Sequence, residues 1–223
     1  PVKRPKLWSP ESPFLYDITY RLVNAKGEVL DEVNSYAGMR KVHIEGNKIY
    51  LNNEPYYQRL VLDQGFYPDG IWTAPSDAAL KRDIELSMAA GFNGARLHQK
   101  AFEERFHYWA DRLGYITWGE APSWGMDANG IEAARNFLTE WSELVLRDRN
   151  HPSIFLWSVG NETSNAADSR WTREEDSTRL IHERKAENYG DFVTHHASNL
   201  DMENLLRVTI RGWTDTDVKN LEP

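Results

Sequence analysis

Between residues 56 and 160 the chain alternates four short apolar runs with stretches of helical spacing, and that alternation restricts the fold more than any other feature. Strands that alternate with helices cannot pair by tight hairpins, so they line up in parallel and bury both faces of the sheet. The runs are residues 57–62, which end at Asp63, then 93–98, 115–120 and 154–160. The last is continuous, Ile154-Phe155-Leu156-Trp157-Ser158-Val159, as a strand covered on both sides should be. Pro152 keeps the preceding residues out of a helix. The run stops at Gly160-Asn161-Glu162. On spacing alone Glu162 serves equally as a carboxylate at a strand's C-terminal tip or as the start of a turn or helix cap.

Between the runs, Ser76 is placed to cap a helix in which Leu80, Ile84 and Met88 repeat at helical spacing and Gly91 ends it. A second helix is expected near residues 102–113, closed by Gly114, and a third over residues 131–149. Residues 1–55 have a different rhythm. Residues 17–23 alternate, Asn24-Ala25-Lys26-Gly27 makes a turn, and residues 28–33 return, which predicts a hairpin; short β segments follow at 40–44 and 48–51. Past Glu162 the pattern weakens: Glu174-Glu175 has the look of a solvated charge run, and residues 207–223 offer no clear strand.

The formal net charge of −8 argues against nucleic acid or an anionic membrane surface as a partner. No apolar run approaches the roughly 20 residues that span a bilayer, and Pro1-Val2-Lys3-Arg4-Pro5-Lys6 is not the start of a signal peptide. With no cysteine, thiolate chemistry, disulfides and cysteine-based zinc sites are all excluded, while the compartment stays open. The nine Trp and ten Tyr suit sugar-stacking surfaces and ordinary cores alike.

Arg147-Asp148-Arg149-Asn150-His151-Pro152-Ser153, the apolar strand, and Trp157-Ser158-Val159-Gly160-Asn161-Glu162 together resemble the signature of glycoside hydrolase family 2, the β-galactosidases, β-glucuronidases and β-mannosidases. The stretches from Leu7 to Tyr16 and from Gly38 to Tyr57 are similar to the end of the immunoglobulin-like domain that precedes the barrel in that family. The resemblance implies an α/β chain: a (β/α)8 TIM barrel over residues 56–223, incomplete with about six strands and truncated before strand seven, after a partial β-sandwich in residues 1–55. Asp176-Ser177-Thr178-Arg179 then resembles the approach to strand five, and residues 189–196 resemble strand six.

The same resemblance assigns roles. Glu162 is the general acid/base, and Asn161 the neighbour that meets the sugar 2-hydroxyl. Arg96 either braces the catalytic carboxylates or forms a structural ion pair. Glu120 stands where the family has an acidic residue. It is followed by no His at the spacing that would complete a Mg²⁺ site, so no metal and no cofactor are expected. Asp63 contacts sugar hydroxyls or only faces solvent. His98 sits one residue from the family's strand-two His, and of His195 and His196 one, taken as His196, lines the pocket, since neighbouring strand residues face opposite ways. Trp124 and Trp157 are candidates for a stacking floor, with Trp157 equally suited to the core. His43, His107, His151 and His182 are read as structural.

Two readings follow. In the first the protein cleaves a β-linked hexoside (a galactoside, glucuronide or mannoside) with retention, which needs two carboxyl groups about 5–5.5 Å apart. The nucleophilic Glu of the family lies in a strand-seven motif that this chain lacks, and none of its Glu residues after Glu162 follows an apolar run. Glu120 in the nucleophile's place is a further option. In the second reading the chain is a silent, truncated scaffold that binds carbohydrate weakly or associates with a second copy through open sheet edges.

Overall fold

The computed structural model describes residues 2–127, 130–161, 166–182, 191–194 and 208–210. Strands β1 (Tyr16–Val23) and β2 (Val29–Ala37) form the expected hairpin, in register from Tyr16↔Ala37 with an irregularity at Leu22/Val23. Thr19 and Asn34 face each other across it with a 2.9 Å hydrogen bond, and Arg21 and Glu32 with one of 2.6 Å. Strands β3 (Val42–Glu45), β4 (Lys48–Leu51) and β5 (Glu54–Pro55) form a separate antiparallel sheet.

The βα alternation follows. Strand β6 (Leu60–Asp63) leads to α1 (Asp77–Ala89), β7 (Gly94–Leu97) to α2 (Glu104–Leu113), and β8 (Ile116–Glu120) to α3 (Ile131–Asp148). Strand β9 (Ile154–Ser158) leads to α4 (Ala166–Glu175), then β10 (Leu180–His182), β11 (Phe192–Thr194) and β12 (Val208–Ile210). Strands β6 to β11 are neighbours in chain order and all parallel. That is the TIM-barrel arrangement expected, with six parallel strands among the described residues. β12 pairs antiparallel with β11, in a region where the sequence pattern predicted no strand.

Local chemistry explains the helix bounds. The Ser76 side chain accepts from the Ala79 N–H at 3.1 Å, and Leu80 and Ile84 are buried beneath α1. Met88, the third apolar residue of that pattern, remains half-exposed. Helix α2 ends at Gly114, whose φ of 76° suits a residue without a side chain. A Cβ there would also run into the Pro10 carbonyl, so the position serves the N-terminal segment as well. Helix α4 was not foreseen. It is held by a buried Trp141 Nε1 bond to Thr172 Oγ1 at 2.8 Å and by half-buried Trp171, not by an apolar stripe.

Two cores flank the sheet. On the helix-facing side, Leu80, Ile84, Ala95, Leu97, Phe106 and Ala110 form one cluster, and Trp141, Val145, Ile154, Trp157 and Ile181 another. The inner cluster joins Ile116, Trp118, Leu156 and Leu180 to Trp8, Val42 and Leu51 from the N-terminal strands. A register shift at Thr117/Trp118, opposite Phe155, lets Ile154 and Trp157 face the helices while Phe155 and Leu156 face inward.

The end of the sheet remote from Glu120 is tied by charged groups. Asp111, fully buried, accepts from Tyr36 Oη at 2.8 Å and from the Ser153 N–H at 2.9 Å, and meets His151 Nδ1 at 2.6 Å. Its own carbonyl accepts from Trp8 Nε1 at 2.8 Å. Arg40 donates to the carbonyls of Pro152 (2.9 Å), Ile154 (2.5 Å) and Thr178 (3.2 Å), and burial holds its guanidinium down at about 9. Burial alone would raise the Asp176 carboxyl. Arg179, with donors from Thr178 and Trp157, holds it below the usual range instead.

His107 lies in this network, enclosed and with no partner at Nδ1. The nearest carboxylate, Asp148 at 3.5 Å, is already gripped by Arg147 through bonds of 2.6 and 2.7 Å. Burial first, then the charge of His151, pushes the His107 imidazole down to about 3. An unfolded imidazole protonates near 6.5, so below that pH the unfolded state takes up a proton that the folded state refuses. Stability from this group is therefore intact above about pH 6.5 and falls toward pH 3, by up to about 1.4 kcal/mol per pH unit. The urea midpoint should drop more steeply between pH 6.5 and 4 in the native sequence than in His107→Gln; equal slopes would exclude this residue as the source.

Candidate active site

The polar side chains gather at the C-terminal ends of β6 to β10, where the loops reach water. Arg96 of β7 is the hub. Its Nε donates to Glu120 Oε2 at 2.7 Å, and its Nη2 donates to Asn161 Oδ1 at 2.8 Å. Glu120, the last residue of β8, is 1% exposed, so this ion pair is out of water. The other carboxylate oxygen, Oε1, accepts from the Gln99 N–H at 3.1 Å. His98 Nδ1 lies 2.9 Å from the same oxygen without hydrogen-bond alignment. Both oxygens of Glu120 are thus engaged by hydrogen bonds.

Asn161 is nearly buried just past β9, and Arg96 takes its Oδ1. That bond sets the amide so that Nδ2, a donor, is the end available to a ligand. Of the alternatives for Arg96, the structure contains the buried ion pair, to Glu120, with a second bond to Asn161. At the end of β10, His182 Nδ1 pairs with Ser158 Oγ at 2.9 Å, with its ring 6.2 Å from that of Trp118. His182, read from the sequence as structural, is buried with this partner.

Gln99 was not singled out either, and no sequence pattern marks it. Its φ of 56° is left-handed, an uncommon state for a residue with a side chain. The turn aims its N–H at Glu120, while its Oε1 accepts from the Ser123 and Trp124 N–H groups at 2.8 and 2.9 Å. One residue therefore links the buried carboxylate to the loop after β8. Asp63 turns back on its own loop, accepting from the Gly65 N–H at 2.8 Å, and burial raises its carboxyl above the usual range. Gly65 has a φ of +63°, and a Cβ there would strike Lys100 and Phe102. Buried Lys100 donates to the Gly65 carbonyl at 3.2 Å and so fixes the start of the loop after β6.

Beside this cluster lies a cavity of about 470 Å³. The loop after β6 contributes Gln64, Phe66 and Trp72; His98 and Gln99 come from the end of β7; Pro122 and Trp124 follow β8. Phe66 and Trp72 stack with ring centroids 6.2 Å apart and planes 20° apart, and Trp72 Nε1 donates to the Gln64 carbonyl at 3.2 Å. Trp124 is 80% exposed at the rim. Trp157 is elsewhere. It is wholly enclosed on the helix-facing side, edge-on to Trp141, bonded to Asp176 Oδ2 at 3.0 Å, and covers Gly119 so closely that a Cβ there would collide with its ring. Of the two roles open to it, its surroundings are those of the core. Glu162, His195 and His196 lie outside the described residues. Among the described residues no three acidic or His side chains converge as a cation site, and no helix is long and apolar enough to cross a membrane.

Comparison with known proteins agrees with this geometry. Residues 42–216 match the family model described as "Glycosyl hydrolases family 2, TIM barrel domain", and residues 1–40 match "Glycosyl hydrolases family 2". Beta-galactosidase 2 of Enterobacter cloacae is 33% identical over 195 residues, which is 81% of this chain and 19% of that protein. The chain thus spans about a fifth of the length of the curated relatives it matches. Among solved structures, Bacteroides uniformis beta-glucuronidase superposes with a TM-score of 0.72 at 26% identity, over 81% of this chain and 24% of that one. The GH2 beta-galacturonidase of Eisenbergiella tayi, bound to galacturonate, superposes at 0.75 and 25% identity, over 82% and 34%.

Removing one partner of a buried ion pair costs about 3–5 kcal/mol, whereas removing both costs far less than the sum. Arg96→Met should therefore destabilise the protein by about that amount in urea unfolding, and adding Glu120→Gln to it should recover part of the loss. Additive effects of the two replacements would show that the pair is not coupled.

Proposed function

The chain belongs to glycosyl hydrolases family 2, and from that premise we propose that the protein it represents hydrolyses β-linked hexosides with retention of configuration. Residues 56–223 are read as the catalytic barrel, and residues 1–55 as the end of an immunoglobulin-like domain. Glu162 is the general acid/base: it protonates the departing glycosidic oxygen, then takes a proton from the water that releases the sugar. The observation that carries this is Arg96 bridging buried Glu120 to Asn161, immediately before Glu162 at the tip of β9. An acid needs a fixed position more than it needs mobility, and this bridge holds the backbone next to it. In this role Asn161 presents Nδ2 to a sugar hydroxyl. Of the other candidates, His98 lines the cavity and Trp124 offers a face to its contents; Asp63 and His196 are assigned to substrate contact by the family resemblance.

No strand-end motif among these 223 residues identifies the nucleophile. That feature also favours the second reading, a domain that binds sugar without turning it over. Beta-galactosidase, beta-glucuronidase and beta-galacturonidase are the activities named among the relatives, and they support a hexoside or hexuronide as the sugar.

The test uses 4-nitrophenyl β-galactoside and β-glucuronide. Glu162→Gln should lower kcat by about 10²–10⁴-fold, the contribution usual for a positioned acid/base, because the base-assisted second step is slowed whatever the leaving group. Azide added to Glu162→Ala should restore turnover and give the β-glycosyl azide, since an anion can replace the deprotonated base in the second step. Unchanged kinetics in Glu162→Gln would sink the assignment. A folded protein that binds both sugars without turnover would establish the second reading.

A further inference from the structure

We propose that residues 68–73, in the loop after β6, form a strap that switches between a curled form and one in which Ile71 is extended, and that Ile71 keeps the two close in energy. The switch follows from the backbone. Only its use, to open and close a sugar-binding cavity, rests on the reading of the protein as a β-glycosidase.

The curl is built from few bonds. The Tyr67 N–H donates to the Ile71 carbonyl at 2.8 Å, the Ile71 N–H to the Tyr67 carbonyl at 2.9 Å, and the Thr73 N–H to the Gly70 carbonyl at 3.0 Å. Gly70 has no room for a side chain, because a Cβ there would meet the Thr73 carbonyl. To close this ring Ile71 takes a φ of 56°. The left-handed region is costly for any residue with a side chain and most so for a β-branched one, which favours extended backbone. Packing does not offset that cost: Ile71 is 73% exposed, so its side chain gains little from burial. Asn or Gly would fit the same backbone with far less strain. Ile71 therefore works against the curl. What holds it closed is Trp72, whose ring stacks on Phe66 with centroids 6.2 Å apart and whose Nε1 donates to the Gln64 carbonyl at 3.2 Å. Both rings are themselves half-exposed or more, so the hold is weak.

The ends of the segment are fixed, which confines the motion to it. Lys100 donates to the Gly65 carbonyl at 3.2 Å, and Glu103 Oε1 accepts from the Ala74 N–H at 3.3 Å. Tyr67 is tied to α1 through its hydroxyl, which donates to Asp83 Oδ2 at 2.6 Å. Phe66 lies between two anchored residues and stays in place. Extension of Ile71 breaks its pairing with Tyr67, carries Trp72 off Phe66 and removes part of one wall of the cavity. A ligand that touches Trp72 draws the equilibrium toward the curled form, and release of Trp72 opens the cavity again.

Hydrogen exchange resolved to single amides of the full chain tests this. In Ile71→Asn, which accepts the left-handed region, the Tyr67 and Thr73 amides should exchange about tenfold more slowly than in the native sequence, while those of β7 and β8 keep their rates. Ile71→Val retains the β-branch and should leave both loop amides at the native rates. Equal loop rates in Ile71→Asn and the native sequence, or slowing of the same size in Ile71→Val, would overturn the switch. With isopropyl 1-thio-β-galactoside or glucuronic acid bound, the same two amides should slow in the native sequence and slow less in Ile71→Asn, where the curled form already prevails. A bound sugar that leaves them unchanged would overturn the gating role. Failure of both sugars to bind would count against the β-glycosidase reading, and the ligand-free comparison would still decide the switch.

Discussion

A guanidinium and a carboxylate sealed from water organise the functional end of this protein. Arg96 and Glu120 come from adjacent parallel strands, and their contact is affordable only because further groups saturate them: Asn161 on the arginine, the Gln99 N–H on the glutamate. The geometry of the surrounding loops follows from that saturation. Gln99 must enter the left-handed region to point its N–H inward, and once there its amide oxygen gathers the loop after β8.

The opposite end of the sheet depends on a similar solution with different groups. Strands need their terminal carbonyls satisfied where no helix covers them. Arg40 and Arg179 supply donors to the carbonyls of His151, Pro152 and Ile154, while Asp111 collects the Tyr36 hydroxyl and the Ser153 N–H. The N-terminal strands are thereby joined to the barrel through polar bonds to its base as well as through Trp8 and Leu51 in the core. The hairpin β1–β2 shares little of this burial. Tyr20, Leu22 and Val33 are all more than half exposed on it, and the Tyr36 contact anchors only its end.

Much of the scaffold was legible in the order of residues. The apolar runs at β6 to β9 and the Ser76 and Gly114 caps report directly on local structure, because burial on both faces and helix termination are short-range demands. Helix α4 was invisible for the complementary reason: its hold on the core includes half-buried Trp171 and an indole–hydroxyl bond between residues distant in sequence, with no periodic stripe. The continuous run at β9 concealed a bulge, so whether Trp157 faced the cavity or the helices could not be read from alternation. Arg96, Glu120 and Asn161 were recognisable as strand-end polar residues, but nothing along the chain said that one would bridge the other two.

The sequence by itself determined the parallel βα order, the helix caps and the family signature around Asn161 and Glu162. Each of these is carried by residues within a few positions of one another. Tertiary structure alone decided that Glu120 is held by Arg96 instead of standing free, that Gln99 joins two loops, and that Phe66, Trp72 and Trp124 share one cavity. Those outcomes depend on closing loops between separate strands, where the partner of a side chain is chosen by packing and by the cost of leaving a buried charge unpaired.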